Sequence, residues 1–264
     1  MSSPLSAASS KRSQRLLALA AVIVGFVVVR GPVMLSAMGG QDEEWYAIPG
    51  LTVARTGVPS VPYSHATEKS SVFLGAERLL FAMPPATFYA QAPFFLVAPP
   101  TYGTARLASL AAGCVAIAVV FLLGRELFDD DWIGPGGAAI FSLSRLFYFP
   151  ATFARPDMLC GMFGLLTILM LARWQRGNQT RHLLFAGVFL GLAGLSHPFA
   201  IVFAIQAGGW ILWSTRGGMR KLVALLVLGG ATAGTFLLWL PLIAMAPELF
   251  MAQFVSNIVS PAGP

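Results

Sequence analysis

Long apolar runs alternate along the chain with short polar or basic ones. A helix that spans a bilayer needs about 20 mostly apolar residues. Runs approaching that length lie at 16–38, 103–123, 133–149, 158–171, 183–195, 199–213 and 222–244. They predict an all-α, polytopic membrane helical bundle of about seven transmembrane helices. The first run follows Lys11, Arg12 and Arg15, a start that a signal peptide shares. Its length, and its continuation past Arg30 and Gly31-Pro32, favour an uncleaved span.

Between the first two runs, 39–102 mixes polar and apolar residues and carries Pro49, Pro59, Pro62, Pro84, Pro85, Pro93, Pro99 and Pro100. Proline at this density breaks regular helix. The stretch therefore reads as a long first outer loop carrying short interfacial helices, and 81–97 as one that lies at the interface or re-enters. Charge tests the count. With the N-terminus inside, the inner loops hold Arg125, then Arg173, Arg176 and Arg181, then Arg216, Arg220 and Lys221. That is the cytoplasmic bias of Lys and Arg. A full span at 81–97 would invert every later loop. The expected organisation is a disordered cytoplasmic tail at 1–15, a membrane module at 16–246, and an outer tail at 247–264 that begins a further C-terminal part.

Composition agrees: 56% hydrophobic residues, 11% charged and a mean hydropathy of +0.73 exclude a soluble domain. The net charge of +6 is spread as small clusters between apolar runs, so a nucleic-acid partner is excluded. Cys114 and Cys160 both fall in apolar runs and imply no disulfide framework. There is no Gly-rich phosphate loop, paired-Cys motif or histidine cluster, so neither nucleotide nor structural zinc is indicated.

The outer face collects the residues with chemical potential. Asp42, Glu43 and Glu44 follow the first span directly. They read either as a solvated loop start or as a general base pointing into a cavity between helices. Arg155-Pro156-Asp157 stands at the outer end of a later span; Pro156 suits a first helical turn, where Asp157 meets the helix dipole. It is either an interfacial anchor or a second acidic group facing the first. Arg145 interrupts an apolar run, where a charge is costly unless paired or functional. Arg145 and Arg155 suit a phosphate at the membrane surface. His197 at the outer turn is a polar cap or a donor to that phosphate. Arg55, Lys69 and Arg78 add outer positive charge that an anionic lipid-linked substrate would explain. Trp45, Tyr46 and Tyr63 read as interfacial belt residues or as platforms for a sugar ring.

The motifs Asp42-Glu43-Glu44-Trp45-Tyr46, Ala54-Arg55-Thr56-Gly57-Val58-Pro59, Pro84-Pro85, Arg106-Leu107, Gly124-Arg125-Glu126-Leu127-Phe128, Arg155-Pro156-Asp157 and Gly194-Leu195-Ser196-His197 occur in this order. In order and spacing the chain resembles the GT-C superfamily of polytopic glycosyltransferases, in its protein-O-mannosyltransferase and aminoarabinose-transferase-like group (the glycosyltransferase 39 type). The resemblance implies transfer of a sugar, with inversion, from a polyprenyl-phosphate donor to an acceptor hydroxyl on the outer face. It implies Asp42 and Glu43 as catalytic residues, Asp42 as base, and Asp157 as the second acidic motif. Arg55, Arg145, Arg155 and His197 then bind the donor phosphate. Some members of the group use a divalent metal and others do not, so the metal stays open.

The resemblance covers the family's N-terminal module, with membrane lipid and a C-terminal module on another chain as expected partners. It places the protein in a bacterial inner membrane with its active face outward. Two other readings stand beside it: a non-catalytic or split-enzyme scaffold, and a lipid or small-solute transporter. The transporter has only Arg30 and Arg145 as mid-span charges.

Overall fold

The computed structural model describes residues 4–40, 42–67, 71–128, 130 and 132–259, with the backbone alone described at 4–12 and 257–259. In chain order the helices are α1 (Pro4–Ser36), α2 (Glu43–Thr56), α3 (Ala86–Val97), α4 (Tyr102–Leu127), α5 (Ile133–Leu143), α6 (Arg145–Ala151) and α7 (Asp157–Gly177). There follow α8 (Thr180–Ser196), α9 (Ala200–Ser214), α10 (Gly218–Phe236), a 3-10 turn at Leu237–Trp239, α11 (Leu240–Met245) and α12 (Pro247–Val259).

The fold is the expected helical membrane bundle. An apolar helix stands at each of the seven predicted spans. Four segments are long and apolar enough to cross a bilayer: Ser13–Ser36, Tyr102–Leu127, Asp157–Gly177 and Gly218–Met245. The helices α5, α8 and α9 are shorter, at 11, 17 and 15 residues. At 1.5 Å per residue, α9 reaches only about 22 Å of a hydrocarbon layer about 30 Å thick. The 12-residue α3 is too short to span, as its prolines required. The first turns of α1 run through the Ser/Ala-rich stretch expected as a tail.

One predicted span needs correction. Residues 133–149 do not form one helix; the chain breaks at Ser144, which is extended at φ −67° and ψ 131°. Its carbonyl starts the next helix by accepting from the N–H groups of Phe147 and Tyr148. The break turns Phe147 inward onto Phe26 and Phe141 and leaves Arg145 and Leu146 exposed. A straight helix through an apolar run would have carried the arginine's charge into the bundle.

Packing runs in two layers. In the bundle, α7 lies between α4 and α8, and α10 covers the other side of α8. Leu169, Leu171, Leu183, Ile211 and Leu228 form one core, and Phe26, Ile117, Phe121 and Phe147 another. Above the bundle, α2, α3 and the connecting loop close over Tyr46, Val61, Leu80 and Phe88. Gln253 ties α12 to this cap: its Oε1 accepts from the N–H groups of Phe81 (2.6 Å) and Ala82 (2.9 Å). Its Nε2 donates to the carbonyls of Leu74 and Leu79.

The tightest helix contact is between α8 and α10, where Gly187 and Gly191 face the partner backbone. A Cβ at Gly187 would sit 2.5 Å from the Leu228 carbonyl oxygen, and one at Gly191 would sit 2.8 Å from that of Thr232. Small residues let membrane helices approach this closely. Replacing Gly191 by Leu is expected to destabilise the bundle by about 1–3 kcal/mol through overpacking. Thermal unfolding in detergent measures it, with Gly229→Leu, where a Cβ meets nothing within 4 Å, as the tolerated control.

Candidate active site

One carboxylate organises the end of the bundle beneath the cap. Glu43 opens α2 and is fully buried. Its Oε1 accepts from Arg106 Nε (2.8 Å) and from the Ala154 N–H (2.8 Å). Its Oε2 accepts from Arg106 Nη2 (2.5 Å) and from the Gly40 N–H (3.1 Å). A carboxylate has about four lone-pair sites, and all are used. The arginine is equally committed: Nη1 donates to the carbonyls of Met34 and Ala37, and Nη2 also to that of Met38. All five of its N–H groups are bonded.

The adjoining residue meets the opposite environment. Asp42 is the N-cap of α2 but makes no capping bond, and its side chain is 62% exposed. Its carboxylate lies 3.7 Å from Arg155 Nη1, while Arg155 Nε donates to Asp157 Oδ2 at 2.8 Å. One guanidinium thus bridges the two acidic motifs, which lie more than a hundred residues apart in sequence. The bridge forms because Glu43 grips the N–H of Ala154, the residue before Arg155. Pro156 is the N-cap of α7 and Asp157 its first residue, so the helix dipole favours the aspartate there.

Two further groups feel these charges. Burial pushes the Tyr46 phenol up from its ordinary 10.0; Arg155 pulls it down, while Asp157 and Asp42 push it up. Burial holds the His197 imidazole below its ordinary 6.5; Asp157 pulls it back up and Arg155 pushes it down again. His197 Nδ1 accepts from the Phe199 N–H at 3.1 Å, which leaves the ring proton on Nε2. The guanidinium of Arg155 is raised overall: burial opposes its charge, and the bond to Asp157 with the surrounding negative charge outweighs that.

The structure therefore gathers Asp42, Arg155, Asp157 and His197, with Tyr46 beside them. Glu43 lies next to the cluster with its oxygens fully occupied. Arg55 is exposed in the last turn of α2, about 20 Å along the helix from Asp42. Arg145 is exposed at the start of α6 and joins none of the cluster's ion pairs. Arg78 is exposed on the cap, and Lys69 lies outside the described residues. Trp45 stacks on Phe73 at 4.1 Å and approaches Tyr63 at 6.4 Å, which makes this ring pair part of the cap's own packing.

The sequence named two residues without their roles here. Arg106 was visible as a charge in the first turns of an apolar span, a costly position that demands a partner. Tyr46 read as a belt aromatic or a platform for a sugar ring, and nothing local marked its hydroxyl. Arg30, the other mid-span charge, places its guanidinium 3.8 Å over the Tyr148 ring, a packing partner that accounts for it.

One apolar groove reaches the cluster, and a second passes the residue that follows His197. The first, of about 360 Å³, runs along Phe141, Leu146, Phe147, Pro150 and Met158 and ends on Asp157. The other, of about 340 Å³, is lined by Phe81, Leu190, Pro198, Ile201, Phe236 and Trp239. Among the described residues no group of three or more His, Cys, Asp or Glu is arranged to hold a metal ion.

A family model described as dolichyl-phosphate-mannose-protein mannosyltransferase matches residues 82–243, more than half of the chain. Neither the curated proteins nor the solved structures include a match to it. The matched segment contains Arg106, Arg155, Asp157 and His197 and begins after Asp42 and Glu43.

Removing Arg106 alone leaves Glu43 charged and buried without its partner. Arg106→Met is expected to cost about 3–5 kcal/mol. The double variant Glu43→Leu/Arg106→Met should recover part of that in the same unfolding measurement. His197 sets a pH dependence. Below its unfolded value of 6.5 the unfolded chain takes up a proton that the folded chain resists, so this group removes stability as pH falls. The Tm of the wild type is expected to drop further between pH 7 and 5 than that of His197→Asn.

Proposed function

The chain belongs to the dolichyl-phosphate-mannose-protein mannosyltransferase family, and from that premise we propose that it moves a sugar from a polyprenyl-phosphate donor to an acceptor hydroxyl. Membership makes it a GT-C, mannosyltransferase-like glycosyltransferase with helices fit for a membrane. Donor, stereochemistry and face are the proposal.

The observation that carries it is the single guanidinium shared by Asp42 and Asp157. A lipid phosphate is a good leaving group once its developing charge is neutralised. Arg155 is the cation in position to do this, since it is a quarter exposed and a phosphate can replace its 3.7 Å pair with Asp42. The Nε2 proton of His197 adds a second donor. The groove that ends on Asp157 suits the first units of the polyprenyl chain, whose hydrocarbon belongs among Phe141, Leu146 and Met158.

Asp42 is then the base. Its carboxylate is exposed, free of capping bonds and beside the phosphate site. The acceptor oxygen attacks the anomeric carbon from the face opposite the phosphate, and its proton passes to Asp42. The bond from anomeric carbon to phosphate oxygen breaks, its electron pair leaves with the phosphate, and configuration inverts. Glu43 takes no proton, because its four acceptor positions are filled; it fixes Asp42 and the Ala154-Arg155 peptide relative to each other.

The basic loops at the far end of α7, where Glu126 pairs with Arg173 and Arg176, support a cytoplasmic position for that end and an outward-facing site in a bacterial inner membrane. In vesicles supplied with polyprenyl-phosphate mannose and a hydroxyl acceptor, wild type is expected to release polyprenyl phosphate. Asp42→Asn should slow release by about 100- to 10,000-fold. Full turnover by Asp42→Asn would reject it as base, and an inert wild type would leave a non-catalytic scaffold or a module needing a partner chain.

A further inference from the structure

Beyond Asp157 the chain carries cations without acids. No aspartate or glutamate occurs between Asp157 and Glu248, while Arg173, Arg176, Arg181, Arg216, Arg220 and Lys221 all fall in that stretch. Glu126 of α4 pairs with the first two. The other four have no carboxylate partner among the described residues. Three of them follow α9 directly, and Arg220 is held in place by donating from Nη2 to Asn178 Oδ1 at the end of α7. Arg220 and Lys221 stand in the first turn of α10, the end of a helix that favours negative charge. Gly217 caps that helix without a side chain, and its first turn has no acid. Every local feature there calls for an anion.

A groove of about 600 Å³ opens onto this basic end, between α7 and α9. Ile168, Gly209 and Trp213 give it an apolar wall, and Gly209 keeps it wide, since a Cβ there meets nothing within 4 Å. Ser214, which also lines it, precedes Arg216 by two residues, and Gln175 precedes Asn178 by three. Across the groove Trp210 Nε1 donates to Gln175 Oε1 at 2.9 Å. That bond occupies the oxygen of the Gln175 amide and leaves its N–H groups unbonded among the described residues. From within outward, the groove therefore offers hydrocarbon, then amide donors, then cations.

We propose that the groove holds an anionic phospholipid, of the phosphatidylglycerol class, from the leaflet at the basic end of the bundle. Its acyl chain lies along Ile168, Gly209 and Trp213, an ester carbonyl accepts from Gln175, and its phosphate sits between Arg216, Arg220 and the start of α10. A lipid presents the same three layers in the same order, and basic pockets between membrane helices select acidic headgroups. A zwitterionic lipid leaves the excess positive charge uncompensated. A second copy of the chain would bring an identical set of cations against the first. The site lies at the opposite end of α7 from Asp157, so it stands whether or not the chain transfers a sugar.

Native mass spectrometry of the full chain in a neutral detergent tests this by titration with phosphatidylglycerol or phosphatidylcholine. One phosphatidylglycerol is expected to stay bound at concentrations where phosphatidylcholine does not. Arg216→Gln/Arg220→Gln should raise its dissociation constant about 5- to 30-fold. Gly209→Leu, which fills the groove and keeps the charges, should weaken it comparably. Arg125→Gln, the same charge change on α4, should shift it less than about twofold. Helicity and Tm of the lipid-free variants are expected to match wild type, because Gly209, Arg216 and Arg220 are exposed. Equal retention of the two lipids, or phosphatidylglycerol binding indifferent to both the arginine pair and Gly209, overturns the proposal. So does displacement of phosphatidylglycerol by an equimolar amount of polyprenyl phosphate, which would give the groove to the sugar donor instead.

Discussion

The paired charges of Glu43 and Arg106 hold the membrane bundle to its cap. Both are buried, a position that costs several kcal/mol per ion unless every hydrogen-bonding direction is met. Here every direction is met. The guanidinium closes carbonyls at the end of α1, which have no partners within the helix, and its charge suits the negative end of that helix dipole. The carboxylate collects N–H groups from the loop after α1 and from the α6–α7 connection. Four stretches of chain, from Met34 to Ala154, meet at one ion pair. Because removal of either partner strands the other, the pair acts less as added stability than as a fixed register among helices.

The charged cluster around Arg155 inherits its geometry from that register. Asp42 and Glu43 are neighbours with opposite fates: one is buried and saturated, the other exposed and held only by a long ion pair. Two carboxylates in different surroundings can divide structural and chemical roles between them. The same division separates the arginines. Every N–H of Arg106 is bonded inside the fold, whereas Arg155 is a quarter exposed and lies between two acids.

Within the bilayer polar atoms need partners, and several side chains of the bundle find them locally. Thr167 donates to the carbonyls of Phe163 and Ala186, Thr232 to those of Gly187 and Leu228, and Arg30 lies on Tyr148.

Much of this was legible along the chain. Seven apolar runs, a proline-broken loop and basic connections specified a helical membrane protein, because hydrocarbon selects for length and apolarity that a sequence displays directly. The acidic motifs and Arg155 were visible for the same reason: charges next to spans are rare. Tertiary structure alone decided the rest. Only the fold shows that Arg155 joins Asp42 to Asp157, that Glu43 is an anchor, and that Arg55 and Arg145 stand away from the cluster's ion pairs. Only the fold breaks 133–149 at Ser144, since what turns there is Phe147 seeking a core made by distant helices. Periodicity records how one helix meets its solvent; which helix ends converge depends on contacts between residues a hundred positions apart, and no local pattern encodes those.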